Sequence, residues 1–165
     1  MPRPVFPHAG HAALRRHRLH LPGHVYLVTA TTIGRQPFFK EFAPACRAAR
    51  CHLDPDVYRE SRLLAWVLMP DHGHWLVQVG DGDHLASIMN RIKSATARAY
   101  NGDAGRTGAL WARAYHERLL RGESDVRAAA RYLVANPVRA GWVKRVGDYP
   151  FWDAVWIADR IPKAL

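Results

Sequence analysis

Cysteine is scarce in this sequence, and long apolar runs are missing from it. Only two cysteines occur among the 165 residues, Cys46 and Cys51, and they do not form a CxxC pair. This shortage argues against a disulfide-stabilised secreted scaffold. No stretch approaches the roughly 20 apolar residues of a membrane-spanning helix, and residues 1–20 lack the continuous apolar segment of a secretory signal. We therefore expect a reduced intracellular protein without a membrane span.

Acidic residues are also in short supply. The chain has 14 of them against 24 lysines and arginines, of which 20 are arginine, and the formal net charge is +10. A genome that favours arginine codons would explain part of this excess. A charge of this size predicts an anionic partner, and nucleic acid is the commonest one for a compact domain. The charge says nothing about catalysis.

The length favours one domain with short extensions. We place that domain at residues 21–147. Residues 1–20 then form a basic arm, and residues 148–165 form an aromatic tail that we expect to pack on the domain. The basic residues of interest in the arm are Arg15, Arg16 and Arg18.

Hydrophobic periodicity predicts four strands and three helices. The predicted strands are His24–Thr32, Arg62–Met69, Gly73–Val79 and Leu110–Leu120. The predicted helices are Glu41–His52, His84–Tyr100 and Ser124–Ala135. In the last helix Ser124 is the expected N-cap and Pro137 the expected stop. The order β-α-β-β-α-β, followed by a helix, predicts an α+β protein of the ferredoxin-like, split βαβ type, whose antiparallel sheet is covered by helices on one face. The other face is then open to a ligand.

Two histidines, His72 and His74, stand two positions apart in a predicted strand. The period of two in a strand puts both imidazoles on one face, within reach of a single metal ion. The pair is weak evidence by itself, because the chain has ten histidines and a solvent-facing strand can carry two of them without a metal.

The surroundings of the pair are more specific. The run Trp66–Trp75 resembles the signature of HUH-type single-tyrosine transposases, above all those associated with repetitive extragenic palindromes (REP). Further similar segments follow in the same order, so that the resemblance covers roughly residues 20–150. These segments are Pro22–Thr29, Asn90–Ser94, Leu110–Arg118 and Tyr132–Val143.

The resemblance implies a metal-dependent enzyme that cleaves single-stranded or hairpin DNA. Tyr132 matches the nucleophile, which becomes joined to a 5′-phosphate. His72 and His74 match ligands of Mg²⁺ or Mn²⁺, and the third ligand in such enzymes comes from the helix of the tyrosine. Asn136 is the candidate, because a residue four positions after Tyr132 lies on the same helix face. Two other tyrosines, Tyr100 and Tyr115, do not match the family position.

The histidine motif departs from the family pattern at two positions. Gly73 stands where relatives have a bulky apolar residue, so we expect a looser strand and weaker metal binding. Asp71 stands where relatives often have asparagine, and it either adds a carboxylate near the metal or closes the turn. His116 and Glu117 are candidates for orienting the ligands, although both equally suit an exposed strand.

Contacts to DNA are expected from the long helix and from the basic arm. Arg91, Lys93 and Arg98 are the candidates on the helix, and Arg15, Arg16 and Arg18 are those on the arm. Two tryptophans, Trp75 and Trp111, are candidates for stacking on unpaired bases, but burial in the core is the more common state of tryptophan.

The leading hypothesis is therefore a transposase-like enzyme that nicks and rejoins DNA near palindromic hairpins. A binding module of the same fold without catalysis, for DNA or RNA, is one alternative, and a metal-dependent hydrolase is another. The resemblance further implies the bacterial cytoplasm, next to the nucleoid, as the location, and it leaves a homodimer possible.

Overall fold

The structure is a computed structural model, and it describes residues 22–158. The predicted arm, with Arg15, Arg16 and Arg18, lies outside the described residues, and so does the end of the tail. Five strands form one antiparallel sheet in the order β4-β1-β3-β2-β5. They are β1 Val25–Thr31, β2 Arg62–Met69, β3 His72–Gln78, β4 His116–Leu120 and β5 Trp152–Ala154.

Six α-helical segments accompany the sheet in this part of the chain. They are α1 Phe42–Arg50, α2 Pro55–Tyr58, α3 Leu85–Ala104, α4 Glu123–Val134, α5 Asn136–Arg139 and α6 Val155–Ala158. Within residues 22–158 no helix has both the length and the apolar character needed to cross a bilayer. The predicted β-α-β-β-α-β order and the α+β class are confirmed.

The helices α1 and α3 pack against each other on one face of the sheet. Buried tryptophan side chains connect this helical layer to the sheet through hydrogen bonds. Trp111 donates from Nε1 to the hydroxyl of Thr96 in α3 at 2.8 Å, and Trp75 of β3 donates from Nε1 to Nε2 of His52 at 2.6 Å. The Trp75 and Trp111 rings pack edge to face with centroids 5.5 Å apart. Because these polar atoms are paired, the large rings are buried without the loss of a hydrogen bond. We call this side of the sheet the core face.

The helix α4 covers part of the opposite face, which we call the site face. Its buried residues pack over β2 and β3 and reach β5, and they are Val126, Ala129, Ala130 and Leu133. The sequence had left the whole of this face open to a ligand. The open part of this face is narrower than predicted, because the apolar stripe of α4 is buried against the sheet. This open part lies over β1 and β4.

The predicted strand Leu110–Leu120 is half as long as expected. Only His116–Leu120 forms β4, whereas Trp111 makes an isolated bridge to Thr32. In the segment between them the ammonium of Lys93 donates to successive main-chain carbonyls, at 2.9 Å for Ala112. A side chain therefore satisfies acceptors that a strand partner would otherwise satisfy.

The ends of α4 also differ from the prediction. The helix α4 begins at Glu123 after an extended Gly122, so Ser124 lies inside it and makes no capping bond. Glu123 and Asp125 instead place negative charge in the first turn, where it favours the helix dipole. Pro137 does not end the helical path, because it lies in the first turn of α5, where its missing N–H carries no penalty.

The aromatic tail contributes a fifth strand that the sequence did not reveal. The hydroxyl of Tyr149 donates to the carbonyl of Leu68 at 2.7 Å, and the amide of Leu68 donates to the carbonyl of Phe151 at 2.9 Å. The short β5 then pairs with β2. The edge of β2 is thereby covered by the chain itself.

One prediction concerns the pH dependence of stability. Burial lowers the pKa of His52 to about 4, against hydrogen bonds to the backbone that act to raise it. The unfolded chain takes up this proton near pH 6.5 and the folded chain only near pH 4, so the free energy of unfolding falls as the pH drops through this window. The loss amounts to at most about 3 kcal/mol. Urea unfolding at pH 7 and pH 4.5 measures it.

The matched variant is His52→Gln, because an amide can accept from Trp75 and does not titrate in this range. The difference between wild type and variant isolates His52 from other histidines. An equal fall in both proteins would contradict the assignment.

Candidate nucleic-acid cleavage site

The two histidines of β3 project from the site face of the sheet. The ring centroids of His72 and His74 lie 5.0 Å apart, with the rings nearly perpendicular. Nδ1 of His72 donates to the Asp71 carboxylate at 2.6 Å, and Nδ1 of His74 shares a hydrogen bond with the Thr29 hydroxyl at 2.7 Å. Because each Nδ1 is engaged, Nε2 is the nitrogen that each ring presents to a metal ion.

The charge states of these groups suit metal binding. Burial, together with the charges of His72 and Arg139, lowers the pKa of His74 to about 4. His74 is therefore neutral at pH 7, as a ligating imidazole must be. Partial burial acts to raise the pKa of Asp71, but the hydrogen bonds and charges of His72 and Arg35 outweigh it and hold that pKa below its ordinary value. An ionised Asp71 keeps the Nδ1 proton of His72 in place.

Gly73 has a different consequence from the one the sequence suggested. A Cβ added at Gly73 would lie 2.4 Å from the ring of Trp75, because the two residues alternate with the histidines and share the core face. The Trp75 ring, which is fully buried, occupies the space of the missing side chain. The expected loose strand is therefore not observed, since a neighbour supplies the packing anchor.

A third ligand is needed to complete a site for a hard divalent cation. No group of three His, Cys, Asp or Glu side chains that could hold a metal occurs within residues 22–158. Asn136 begins α5 and donates from Nδ2 to the carbonyl of Leu133 at 3.2 Å. This bond leaves the amide oxygen as an available acceptor. Two imidazole nitrogens and one amide oxygen are donors that a divalent first-row metal ion accepts.

Tyr132 lies on the flank of α4 and is 55% exposed. The guanidinium of Arg139 lies 3.6 Å from the centre of its ring, and Nη1 of the same residue donates to the Tyr132 carbonyl at 3.2 Å. Arg139 also acts on the pKa of His74. It therefore connects the tyrosine to the histidine pair.

A groove runs beside Tyr132 over the open part of the site face. Its volume is about 760 Å³. Tyr132 lines it, and so does Thr29, the hydrogen-bond partner of His74. The lining also includes Leu27, His116, Arg118, Asp125 and Ala129.

The two other candidate tyrosines, Tyr100 and Tyr115, do not line this groove. Tyr100 packs its ring against Phe38 and Phe39 at the end of α3. Tyr115 is half-buried and lies 5.3 Å from the ammonium of Lys93. Neither is among the residues that line the groove.

The two residues of β4 that were candidates for orienting the ligands, His116 and Glu117, project from opposite faces of the sheet. The sheet register pairs His116 with Thr29 and Glu117 with Val28. His116 therefore shares the site face with the histidines, two strands away from His74 and about 10 Å from it. Glu117 projects from the core face, so it cannot orient the ligands directly, because successive residues of a strand point to opposite sides.

The basic residues predicted on the long helix do not join the site. The helix α3 lies on the core face, and Arg91 donates to the carbonyl of Val57 at 2.7 Å and pairs with Asp83. Lys93 is bonded to the main chain before β4. Arg98 is exposed on the same helix. The first two hold the fold together, and the stacking role considered for Trp75 and Trp111 is excluded by their burial.

Thr29 and Arg139 were not identified from the sequence. Both stand in segments that resemble the family, but their roles depend on contacts across the sheet and across the α4–α5 turn. The alternation of β1 gave a partial signal, because it separates Thr29 from the apolar positions.

Comparisons with known proteins agree with this geometry. The profile of the family described as "Transposase IS200 like" matches residues 24–136. A REP-associated tyrosine transposase of Escherichia coli (strain K12) is 34% identical over 95 residues, which cover 56% of this chain and 54% of that protein. The chain thus spans about half the length of this relative. A solved structure of a REP-associated tyrosine transposase bound to a REP hairpin matches 87% of this chain and 84% of its own, with a TM-score of 0.69 and 25% identity.

The contact between Gly73 and Trp75 predicts a specific coupling. Gly73→Ala is expected to destabilise the protein by about 1–3 kcal/mol, because the new methyl group overlaps the indole. In a Trp75→Leu background the same substitution should have little effect, since the smaller side chain removes the clash. Denaturant unfolding of the four proteins measures this coupling. Equal effects of Gly73→Ala in both backgrounds would refute it.

The bond from Thr29 to His74 gives a prediction for metal affinity. Thr29→Val keeps the shape of the side chain but removes the hydroxyl that fixes the imidazole, so binding of Mn²⁺ should weaken by about 10–100-fold. Calorimetric titration with Mn²⁺ measures the change. Thr107→Val, at an exposed loop position, is the control and should bind as wild type does. An unchanged affinity of Thr29→Val would show that His74 is not a ligand held in this way.

Proposed function

The chain belongs to the IS200-like transposase family, and on that premise we propose that it nicks and rejoins single-stranded DNA through a covalent tyrosine link. The observation that carries the proposal is the convergence on one sheet face of an exposed tyrosine and two histidines with engaged Nδ1 atoms. The groove lined by Tyr132 and by Thr29, the partner of His74, offers a DNA strand a place beside the tyrosine.

Tyr132 is the proposed nucleophile. Its phenolic oxygen attacks the scissile phosphorus, a new O–P bond forms, and the bond to the 3′ oxygen of the preceding nucleotide breaks. The products are a 5′-phosphotyrosine and a free 3′ hydroxyl. Attack by a 3′ hydroxyl on the phosphotyrosine reverses the bonding, restores the tyrosine and joins the strands. The number of phosphodiester bonds is conserved, so no external energy source is required.

His72, His74 and Asn136 are the proposed ligands of a Mg²⁺ or Mn²⁺ ion. When bound, such an ion polarises a phosphate oxygen and balances the charge that develops during attack. Asp71 and Thr29 orient the imidazoles through hydrogen bonds to Nδ1 of His72 and of His74, respectively.

Arg139 is the proposed positioning residue for the nucleophile. Its guanidinium lies against the Tyr132 ring, and its second contact fixes the carbonyl of the same residue. A ring with a guanidinium packed on one face loses little freedom when it reacts, which favours attack on a positioned phosphate.

Hairpin DNA is the proposed substrate. The similar solved protein was bound to a REP hairpin, and this chain has a net charge of +10. Arg139 contacts Tyr132 and its charge acts on His74 of the same chain, which supports a site built within one chain. In a homodimer the partner would instead bind a second DNA end. The relative is bacterial, and we place the reaction at the bacterial nucleoid.

The experiment is a covalent trapping assay with hairpin oligonucleotides that carry single-stranded flanks. With Mn²⁺ the wild type should form a protein–DNA adduct that survives denaturation, and Tyr132→Phe should form none because it lacks the attacking oxygen. Tyr115→Phe is the control and should retain the adduct.

Three other outcomes have clear meanings. An adduct in Tyr132→Phe would refute the nucleophile. DNA binding without an adduct under any metal would favour a binding module. Metal-dependent cleavage that is unaffected in Tyr132→Phe would favour a hydrolase.

A further inference from the structure

A second cavity is lined by His72, which is not among the residues that line the groove. Its volume is about 380 Å³, which is enough for one nucleotide. Its walls come from the segment after β1, the β2–β3 turn and the turn after α5. The lining includes Arg35, Pro37, Lys40, Asp71, His72 and Trp142. We call it the Trp142 pocket.

Trp142 is the exposed member of the six tryptophans. Its exposed fraction is 52%, whereas the other five are buried or half-buried. The ring stands on a fixed turn, because Gly141 adopts a φ of +76° and the amide of Trp142 donates to the carbonyl of Pro137 at 2.9 Å. An exposed indole on a rigid support provides a flat surface for stacking at little cost in conformational entropy.

Two cations stand at the same cavity. Arg35 has an exposed side chain, and its Nη1 lies 3.3 Å from Oδ2 of Asp71. Its backbone has a φ of 54°, which is unfavourable for a residue with a side chain. The Thr32 hydroxyl, which donates to the carbonyl of Gln36 at 2.7 Å, ties this turn together. Lys40 is also exposed. The strained turn thus holds positive charge beside an aromatic surface, and this combination suits a nucleotide.

The pocket is connected to the proposed metal ligands. Asp71 accepts from Arg35 and from His72, so one carboxylate joins the cation of the pocket to the ring that faces the scissile phosphate. A nucleotide bound in the pocket would therefore lie close, along the DNA strand, to the phosphate that reacts.

We propose that the Trp142 pocket binds one unpaired nucleotide of the DNA strand next to the cleavage position, with its base stacked on Trp142 and its phosphate at Lys40 and Arg35. This inference rests on the proposed function. It identifies the tryptophan that stacks as Trp142, in place of the buried Trp75 and Trp111.

The test is a scan with abasic nucleotides in the Tyr132→Phe protein, in which cleavage does not interfere with binding. Each nucleotide of the single-stranded flanks of a hairpin oligonucleotide is replaced in turn, and Kd is measured. Loss of the stacked base should raise Kd by about 5–150-fold at one position. When Trp142→Ala is added, that position should become insensitive, and Trp142→Phe should restore its sensitivity.

The charge at the pocket is tested separately with Lys40→Gln. Arg35 is a poorer choice, because its loss also releases Asp71. Lys40→Gln should reduce the slope of log Kd against log salt concentration by about one. Arg50→Gln, exposed at the other end of α1, is the matched control and should leave the slope unchanged.

Failure of the pocket and failure of the proposed function are distinguishable. If the wild type forms the adduct but no flank position depends on Trp142, the pocket is refuted and the function stands. If one position depends on Trp142 but no adduct forms with any hairpin, the pocket stands and the function is refuted. Unfolding curves of Trp142→Ala that match those of its parent exclude a folding defect.

Discussion

The antiparallel pairing of β1 with β3 determines where every part of the candidate site lies. Thr29 stands opposite His74 in this register, and Val28 stands opposite Trp75. A shift of one residue would turn His72 and His74 toward the core and Trp75 toward solvent, because strand side chains alternate. The buried indole of Trp75, bonded to His52, makes that shift unfavourable. The hydrophobic core thus fixes the orientation of the two candidate metal ligands.

The same strand serves two purposes through its alternation. On the core face the small Gly73 makes room for the ring of Trp75, and on the site face the two histidines each receive a hydrogen-bond partner from a neighbouring residue. Packing and ligation use different positions of one strand, so they do not compete. This explains how a glycine can occupy the centre of the histidine motif without loosening it.

The helix α4 divides the site face. Its apolar residues, such as Leu133, are buried against β2 and β3, whereas Tyr132 lies on the flank toward β1. Arg139 and Trp142 follow in the next two turns of chain, and Pro137 lets the backbone continue into α5 rather than leave the sheet. One short segment therefore carries the proposed nucleophile, the cation against its ring and an exposed indole.

The sequence alone determined the order of the elements and the family, and it nominated Tyr132, His72 and His74 as site candidates, because period-two and helical patterns and ordered motifs are local. It could not assign a face to Glu117 or to the cations of α3, since these depend on strand register and on which side a crossover helix packs. It also missed β5, whose three residues carry too little pattern. Contacts between distant segments, such as Thr29 with His74, arise only from tertiary packing, and these contacts turn a common pair of histidines into a candidate site.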